Sequence, residues 1–254
     1  MKLLAVRIVS YMFCVQRLSL AVLLVLGAAL PSAHGFKLSP MKMTLSPQGR
    51  GASGVFTVTN EGNETLAVDV HFLSRSLSLD GKELNERADK QFMVFPPQFV
   101  LAGGGEQIVR VKWIGKSPVE KELAFRLVAE QLPVRLTKEA GGGVNLNVGI
   151  RYLASVYVQP GGTKEKVVSR TEVVNGEDTK SLQLDVCNEG SRHVILKDLV
   201  VELSCGGSSV KLPQELVAKI DGENLLAGST RRLRMPWPQG LPFGEPVAHV
   251  KYRE

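Results

Sequence analysis

Hydrophobic and polar residues alternate in short runs along most of the chain. Such runs cover 55–59, 66–72, 107–113 and 123–128, and turn residues such as Gly, Pro and Asn separate them. The segment 76–81 ends in Asp-Gly, which is a strong signal for a β-hairpin. Short strands at a spacing of about 8–12 residues are typical of β-sandwiches. The pattern therefore predicts an all-β protein with hardly any helix.

A short internal repeat divides this pattern into two parts. The sequence Val-Thr-Asn-Glu-Gly at 58–62 recurs as Val-Cys-Asn-Glu-Gly at 186–190, each time at the end of an alternating strand. The two copies are one domain length apart. The segment 160–163, which contains two glycines, is the predicted hinge between them. We therefore expect one β-sandwich domain at 36–159 and a second at 164–254.

The first 35 residues have the composition of a secretory signal peptide. Three basic residues precede an uncharged apolar run at 18–30, and the small residues Ala33 and Gly35 precede the expected cleavage point. A membrane anchor is the alternative, but a spanning helix needs roughly 20 apolar residues, and this run is shorter. We predict that residues 1–35 are a cleaved signal and that the rest of the chain is exported.

Charge adds little to this picture. The whole chain has a formal net charge of +6, but three of its basic residues belong to the predicted signal. The densest basic cluster, at 231–234, has no aromatic residues interleaved with it. The sequence therefore predicts a solvated strand edge at this cluster and no binding to nucleic acid.

Cys187 and Cys205 are the cysteines of the predicted exported part. An even number of cysteines in an oxidising compartment predicts a disulfide bridge. Two buried thiols are the alternative, because the sequence does not give the distance between the two Cα atoms. No second cysteine or histidine lies at ligand spacing near either residue, so no metal site is predicted.

The sequence contains no motif that indicates catalysis. His71, His193 and His249 lie outside any Gly-x-Ser-x-Gly or His-Glu-x-x-His frame. The glycine runs at 103–105 and 141–143 are not followed by Lys-Ser/Thr and a helix, as a phosphate-binding loop requires. We predict no catalytic residues and no cofactor, and the protein is not expected to be an enzyme.

The most specific motif lies at 95–111 and reads Phe-Pro-Pro-Gln-Phe-Val-Leu-Ala-Gly-Gly-Gly-Glu-Gln-Ile-Val-Arg-Val. It resembles the Pro-Pro…Leu-x-Pro-Gly-x-x-Gln-x-Val-Arg signature of the PapD-like pilus assembly chaperones, with Gly103 where the family usually has proline. The segment 125–133 is similar to the family's Tyr/Phe-Arg-Leu…Glu-Ile-Pro, and 39–43 resembles the first strand of its divergent branch. The predicted second domain matches the family through its size and strand content.

The resemblance implies two immunoglobulin-like domains in a periplasmic chaperone. Such a protein would bind and stabilise pilus or fimbrial subunits by donor-strand complementation and deliver them to an outer-membrane usher. Leu146, Val148 and Ile150 are the expected donor strand, although periodicity alone would point this face into the sandwich core. Lys42 and Arg151 are expected to anchor the carboxylate at the C-terminus of the subunit, with plain surface charge as the alternative for each.

The identity of the second anchoring residue stays open in the sequence. Counting back from Pro160 puts Ser155 where the best-known family members have lysine, and Gln159 replaces an arginine that is usual before the hinge proline. Arg151 is the nearest basic residue on the same predicted strand, and it matches an arginine of the divergent branches.

Two further questions remain at the level of sequence. A structural or adhesive immunoglobulin-like component of a surface appendage is the alternative function. A pilin would be expected to carry an N-terminal donor extension, whereas Phe36 leads almost directly into the first predicted strand. The sequence does not say whether the free protein caps itself as a dimer.

Overall fold

The computed structural model describes residues 35–133, 149–175 and 180–253, and the chain from Phe36 onward forms one compact unit. The apolar run of the predicted signal peptide, at 18–30, lies outside the described residues. Within the described ranges, no helix is long and apolar enough to cross a membrane.

The described N-terminal part, from Phe36 to Val158, contains two sheets and a separate short hairpin. Its strands are β1 (Phe36–Ser39), β2 (Lys42–Leu45), β3 (Ser53–Asn60), β4 (Leu66–Ser74), β5 (Ser76–Leu77), β6 (Glu83–Leu84), β7 (Phe92–Phe95), β8 (Gln98–Leu101), β9 (Glu106–Trp113), β10 (Leu123–Gln131) and β11 (Arg151–Val158). One sheet has the order β1-β3-β9-β7, the other has the order β2-β11-β10-β4-β8, and β5 pairs with β6. Two short 3₁₀ helices cover Arg50–Ala52 and Asp89–Gln91. The runs that predicted strands lie within β3, β4, β9 and β10, and the predicted Asp-Gly hairpin joins β5 to β6.

The first hydrophobic core is built from residues of both sheets of this part. Along β3 and β9 the residues near the C-terminal end alternate between buried and more exposed positions, as expected for strands with one face toward a core. Aromatic rings fill its centre, where Phe92 stacks on Phe72 with ring centroids 3.7 Å apart and meets Trp113 edge-on at 5.2 Å. Burial of each such aromatic side chain contributes about 1.5–3 kcal/mol of hydrophobic free energy.

The C-terminal part, from Val167 to Arg253, has its own hydrophobic core. Its strands are β12 (Val167–Asn175), β13 (Lys180–Asn188), β14 (Val194–Ile195), β15 (Lys197–Cys205), β16 (Ser208–Lys211), β17 (Asn224–Leu225), β18 (Thr230–Pro236) and β19 (Val247–Arg253), and its short helix is α1 (Gln214–Val217). The strand orders are β12-β13-β18 and β16-β15-β19, with β14 paired to β17. The predicted hinge at 160–163 is a turn in which Gly162 has a φ of +78°. The domain limits 36–159 and 164–254 stay a prediction.

The internal repeat marks the same local structure in both parts. Asn60 and Asn188 are both buried at the ends of their strands. In each copy the asparagine carbonyl accepts a hydrogen bond from the backbone of the glycine two residues later, at 3.0 Å. The side-chain amide donates to backbone carbonyls across the turn, including that of Leu101 for Asn60 and that of Leu225 for Asn188. In both parts the repeated asparagine therefore satisfies buried backbone groups at the end of a strand.

The basic cluster at 231–234 differs from its prediction as a solvated edge. Arg231 is only 4% exposed, and its guanidinium donates to the backbone carbonyl of Leu79 at 3.0 Å and to the carboxylate of Glu223 at 2.9 Å. The tip of the β5–β6 hairpin lies against this guanidinium, since a Cβ added to Gly81 would approach Arg231 Cζ to 2.2 Å. The prediction was wrong for Arg231 because a contact between distant parts of the chain, which a local pattern does not encode, buries its charge.

The predicted Cys187–Cys205 bridge is not found, because both residues are free cysteines in the structure. Cys187 lies on β13, where Leu184 and Val186 are core residues, and its sulfur is 3.1 Å from a guanidinium nitrogen of Arg170. Cys205 lies at the end of β15 in a different sheet and packs against the second core. Alternation along β13 directs the side chain of Cys187 away from that core, so the two thiols do not meet.

Candidate functional site

Lys42 projects from β2 at the junction between the N-terminal and C-terminal parts. β2 pairs in parallel with β11, which places Lys42 opposite Ser155. Lys42 and Thr44 are exposed on this strand while Leu45 is buried, so Lys42 points away from the first core. Its ammonium nitrogen is 3.3 Å from Nε2 of His193 and 5.5 Å from the centre of the Tyr157 ring.

His193 connects the two parts through a buried carboxylate. Its Nδ1 is 2.7 Å from Oε1 of Glu122, and its backbone N–H donates to the same oxygen at 3.1 Å. The side chain of Glu122 is only 1% exposed, and the backbone N–H of Glu122 donates to the carbonyl of Ser191 at 2.9 Å. A buried carboxylate requires such partners, because an unpaired buried charge is strongly destabilising.

Tyr157 lies at this junction and contacts residues of both parts. Its ring is stacked on that of His193, with centroids 4.1 Å apart and an interplanar angle of 11°. Its hydroxyl accepts hydrogen bonds from the side-chain amide of Asn224 at 2.6 Å and from Arg75 at 3.2 Å. The two stacked rings, one from each part of the chain, therefore both lie close to the ammonium group of Lys42.

Lys42 also lines a cavity of about 280 Å³ at this junction. Its lining residues are Lys42, Thr44, Gln159, Glu165, Arg192, His193, Val194, Ile195 and Lys197. Arg192 donates to the carboxylate of Glu165 at 3.0 Å, which leaves the positive charges of Lys42 and Lys197 in excess over the acidic charge of the lining. A small pocket with net positive charge suits an anion such as a carboxylate.

A second charged group lies on the same sheet face, centred on Glu83 of the short strand β6. Arg126 donates to both of its carboxylate oxygens, at 2.8 and 2.6 Å, and Arg75 donates to one of them at 2.8 Å. Burial alone would raise the pKa of Glu83, but the hydrogen bond from Arg126 and the charges of both arginines lower it to about 2.

Arg126 is the basic residue that sequence reasoning missed. It lies on β10 opposite Ser155 and donates to the hydroxyl of Ser155 at 2.6 Å, next to the register position of Lys42. Its signal was present in the Phe-Arg-Leu motif at 125–127, which carried no role in the sequence. Because its guanidinium is paired with Glu83, Arg126 adds little net positive charge to the face.

The structure does not bring Arg151 together with Lys42. Arg151 begins β11 opposite Glu130, and its Nε is 3.5 Å from Oε2 of that residue. It lies four residues before Ser155, the register partner of Lys42, which corresponds to roughly 13 Å along a strand. Arg151 is about half exposed.

Of the expected donor-strand residues, Ile150 alone lies within the described part of the chain. It is partly buried and packs against the first core, and its carbonyl accepts a hydrogen bond from the backbone of Gln131 at 2.9 Å. Leu146 and Val148 lie outside the described residues. In this structure Ile150 therefore follows the alternative that periodicity favours, with its side chain toward the core.

Asp69, His71 and Glu130 form a group in which one ligand atom from each lies within 4.8 Å of the others, as metal binding would need. Nδ1 of His71 is already 2.7 Å from Asp69, whose second oxygen accepts a hydrogen bond from Gln98 at 2.7 Å. Glu130 faces Arg151. The group is thus internally paired, and its geometry is accounted for without an ion.

Three comparisons with known proteins bear on this architecture. The family model described as pili and flagellar-assembly chaperone, PapD N-terminal domain, matches residues 36–164. No curated protein sequence matches the chain.

The chain is also similar in fold to solved structures. One is from a chaperone–tip adhesin complex of CFA/I fimbriae biogenesis (16% identity, TM-score 0.55, covering 85% of this chain and 98% of that one). Another is from the CsuC–CsuE chaperone–tip adhesion subunit complex of the archaic chaperone-usher Csu pili of Acinetobacter baumannii (16%, 0.54, 81% and 89%). A third is the class 5 fimbriae chaperone CfaA (15%, 0.54, 87% and 100%).

These structures have the predicted all-β fold, which is thereby confirmed, and identities this low show the fold alone. The family model carries the assignment, because it matches half of the chain and covers the motif at 95–111. The chain belongs to the pili and flagellar-assembly chaperones of the PapD type, as its sequence motifs predicted.

Proposed function

We propose that this protein is a periplasmic chaperone that binds pilus or fimbrial subunits and delivers them to an outer-membrane usher. Membership in the chaperone family supports the activity. Two proteins of similar fold come from complexes of a chaperone with a tip subunit, which supports a subunit as the partner. The observation that carries the proposal is the basic cavity at Lys42, at the junction of the two parts of the chain.

In this proposal Lys42 anchors the C-terminal carboxylate of the subunit. The ammonium group reaches the cavity from β2, and Lys197 lines the same cavity from β15. A carboxylate that accepts hydrogen bonds from an ammonium group forms a charge-assisted contact, which is shorter and stronger than a neutral one. Lys197, and not Arg151, supplies the second positive charge in this arrangement, because Arg151 lies at the far end of β11.

The donor segment in this proposal contains Leu146 and Val148, and Ile150, whose side chain packs against the first core in this structure, joins it to β11. β2 pairs with β11 over Ser155–Val158, while Arg151–Ala154 has a ladder partner among the described strands on the β10 side alone. In this proposal the other edge of that stretch pairs with a strand of the subunit. Main-chain pairing with an exposed edge, combined with alternate side chains in a groove, is the mode of strand addition.

The proposal is tested by co-purification from periplasmic extract with identification of the bound protein. We expect Lys42→Ala to reduce the recovery of bound subunit about tenfold, because one charge-assisted contact is lost. Lys37→Ala is the matched control, since Lys37 is an exposed lysine on β1 of the other sheet. Recovery of the same amount of subunit with all three proteins would exclude Lys42 as the anchor, and absence of any pilus subunit would contradict the chaperone function.

A further inference from the structure

The imidazole of His193 lies between a buried carboxylate and the ammonium group of Lys42. Glu122 is 2.7 Å from its Nδ1, and Lys42 Nζ is 3.3 Å from its Nε2. Glu122 and Lys42 belong to the N-terminal part, whereas His193 belongs to the C-terminal part. The three side chains therefore form a continuous chain of polar contacts that crosses the junction twice.

The chemistry of Lys42 determines the protonation of the ring. An ammonium group has donors and no acceptor, so the ring nitrogen that faces it accepts the hydrogen bond. The ring proton then resides on Nδ1, where Glu122 accepts it. The backbone N–H of His193 donates to the same carboxylate at 3.1 Å, which further fixes the orientation of the ring.

We infer that His193 is a positioning residue, which holds the ammonium group of Lys42 at the cavity and is itself held in one tautomer by Glu122. The inference rests on the proposed function of Lys42 as a carboxylate anchor. A free lysine side chain samples many rotamers around four rotatable bonds. The Nε2 atom and the face of Tyr157, 5.5 Å away, give the ammonium group two fixed attractive contacts. An anchor that is already in place loses less conformational freedom when an anion binds.

This arrangement makes the anchor dependent on both parts of the chain. Lys42 is held in position only when β2 lies against His193, which directly precedes β14. The stacking of His193 on Tyr157 brings these segments together. A carboxylate at the cavity would thus meet an ordered ammonium group only in the closed junction.

Two variants of similar shape separate the roles of the two ring nitrogens. His193→Asn places an amide where Nδ1 stands, so it retains a donor to Glu122 but loses the contact to Lys42. His193→Gln places an amide where Nε2 stands, so it retains an acceptor for Lys42. Nitrogen-resolved NMR of the purified protein reports the tautomer of His193 and the signal of the Lys42 ammonium group, and acetate serves as the carboxylate probe.

In the unmodified protein we expect protonated Nδ1 and unprotonated Nε2. We expect His193→Asn to shift the Lys42 signal toward that of solvent-exposed lysines and to weaken acetate binding about tenfold. His193→Gln should keep the Lys42 signal and bind acetate within about threefold of the unmodified protein. A protonated Nε2 in the unmodified protein, or a Lys42 signal that neither variant shifts, would overturn the inference. The first of these measurements is made on the unmodified protein and does not depend on the folding of a variant.

The Lys42→Ala variant separates this inference from the proposed function. If added acetate does not change the NMR signals of the cavity residues in the unmodified protein, the carboxylate site is contradicted. The tautomer of His193 and the signal of Lys42 would still decide the role of His193. Conversely, loss of acetate binding in Lys42→Ala without any effect of His193→Asn would retain the anchor and reject the positioning residue.

Discussion

Glu83 is a carboxylate on a strand of two residues, and two arginines hold it in its charged form. Arg126 contacts both of its oxygens from β10, and Arg75, which lies between β4 and β5, contacts one. Together they lower the pKa of Glu83 to about 2, although burial opposes this. The pairing ties the β5–β6 hairpin to the sheet that presents Lys42, so a single side chain couples a small hairpin to the candidate site.

This pairing predicts a specific acid sensitivity. A carboxylate with a folded-state pKa below its unfolded value stabilises the protein above the unfolded pKa, and the contribution is lost as pH falls toward the folded pKa. For Glu83 this pH window runs from the ordinary glutamate pKa of 4.5 down to about 2. Urea unfolding at pH 5 and pH 3 should show that Glu83→Gln loses less stability than the unmodified protein, by about 1 kcal/mol after allowance for solvent screening.

Glu86→Gln is the control for this measurement, because Glu86 is an exposed residue of the same hairpin region. It should lose as much stability between pH 5 and pH 3 as the unmodified protein. An equal loss for Glu83→Gln would show that the paired arginines do not stabilise the charged form of Glu83.

At the scale of strands, the sequence predicted the features that depend on residues close together in the chain. The alternating runs at 55–59 and 107–113 lie within β3 and β9, because side-chain alternation across a strand is a property of neighbouring residues. The asparagine turns of the repeat were also readable, since Asn60 and Asn188 satisfy backbone groups close by in the turn.

What the sequence did not predict depends on strand register and on contacts between distant segments. The parallel pairing of β2 with β11 places Lys42 opposite Ser155 and not opposite Arg151. No spacing in the chain encodes that offset, because the two strands are over a hundred residues apart in sequence. For the same reason the sequence did not identify His193 as a contact of Lys42, nor the separation of Cys187 from Cys205.

The proposed pairing of a subunit strand with the edge of β11 leads to a prediction about the segment that precedes β11. We expect Val148→Asp to leave the protein folded but to abolish capture of subunits, because a carboxylate in the apolar groove of a subunit would be buried without a partner. Ile150→Asp should instead lower the stability, since Ile150 packs against the first core. Thermal unfolding and subunit co-purification, measured on the same samples, distinguish the two effects.

Asn147→Asp is the control for the donor segment, because strand alternation would place residue 147 on the face opposite Val148. It should fold and bind subunits as the unmodified protein does. Normal capture by a folded Val148→Asp protein would reject this segment as the donor strand, and unfolding of Val148→Asp would assign Val148 to the core.

At the scale of the molecule, the contacts between the described N-terminal and C-terminal parts include three hydrogen-bonded groups. One is the pair of Glu122 with His193, and the second is the hydrogen bond between Tyr157 and Asn224. The third is Arg231, which reaches the carbonyl of Leu79. His193, of the first pair, lines the cavity at Lys42, and Arg231 contacts the hairpin that carries Glu83. Closure of the junction and shape of the candidate site are therefore linked.

Arg231 gives the sharpest test of this link. Its guanidinium is buried against the hairpin tip, and the backbone N–H of Arg232 also donates to the carbonyl of Leu79, at 2.8 Å. Arg231→Ala would remove a buried guanidinium together with its hydrogen bonds to Leu79 and Glu223. Because the side chain of Glu223 is 34% exposed, water partly solvates the carboxylate left behind, and a cost of about 1–3 kcal/mol follows. We expect a fall of this size in the free energy of unfolding, together with faster hydrogen exchange at residues 78–82 and at Arg232. Arg234→Ala, at an exposed position of the same strand, is the matched control and should change neither quantity measurably. Slow exchange at the hairpin tip in a folded Arg231→Ala protein would show that the two parts are held together without Arg231, and that the contacts at His193 and Tyr157 suffice to close the junction.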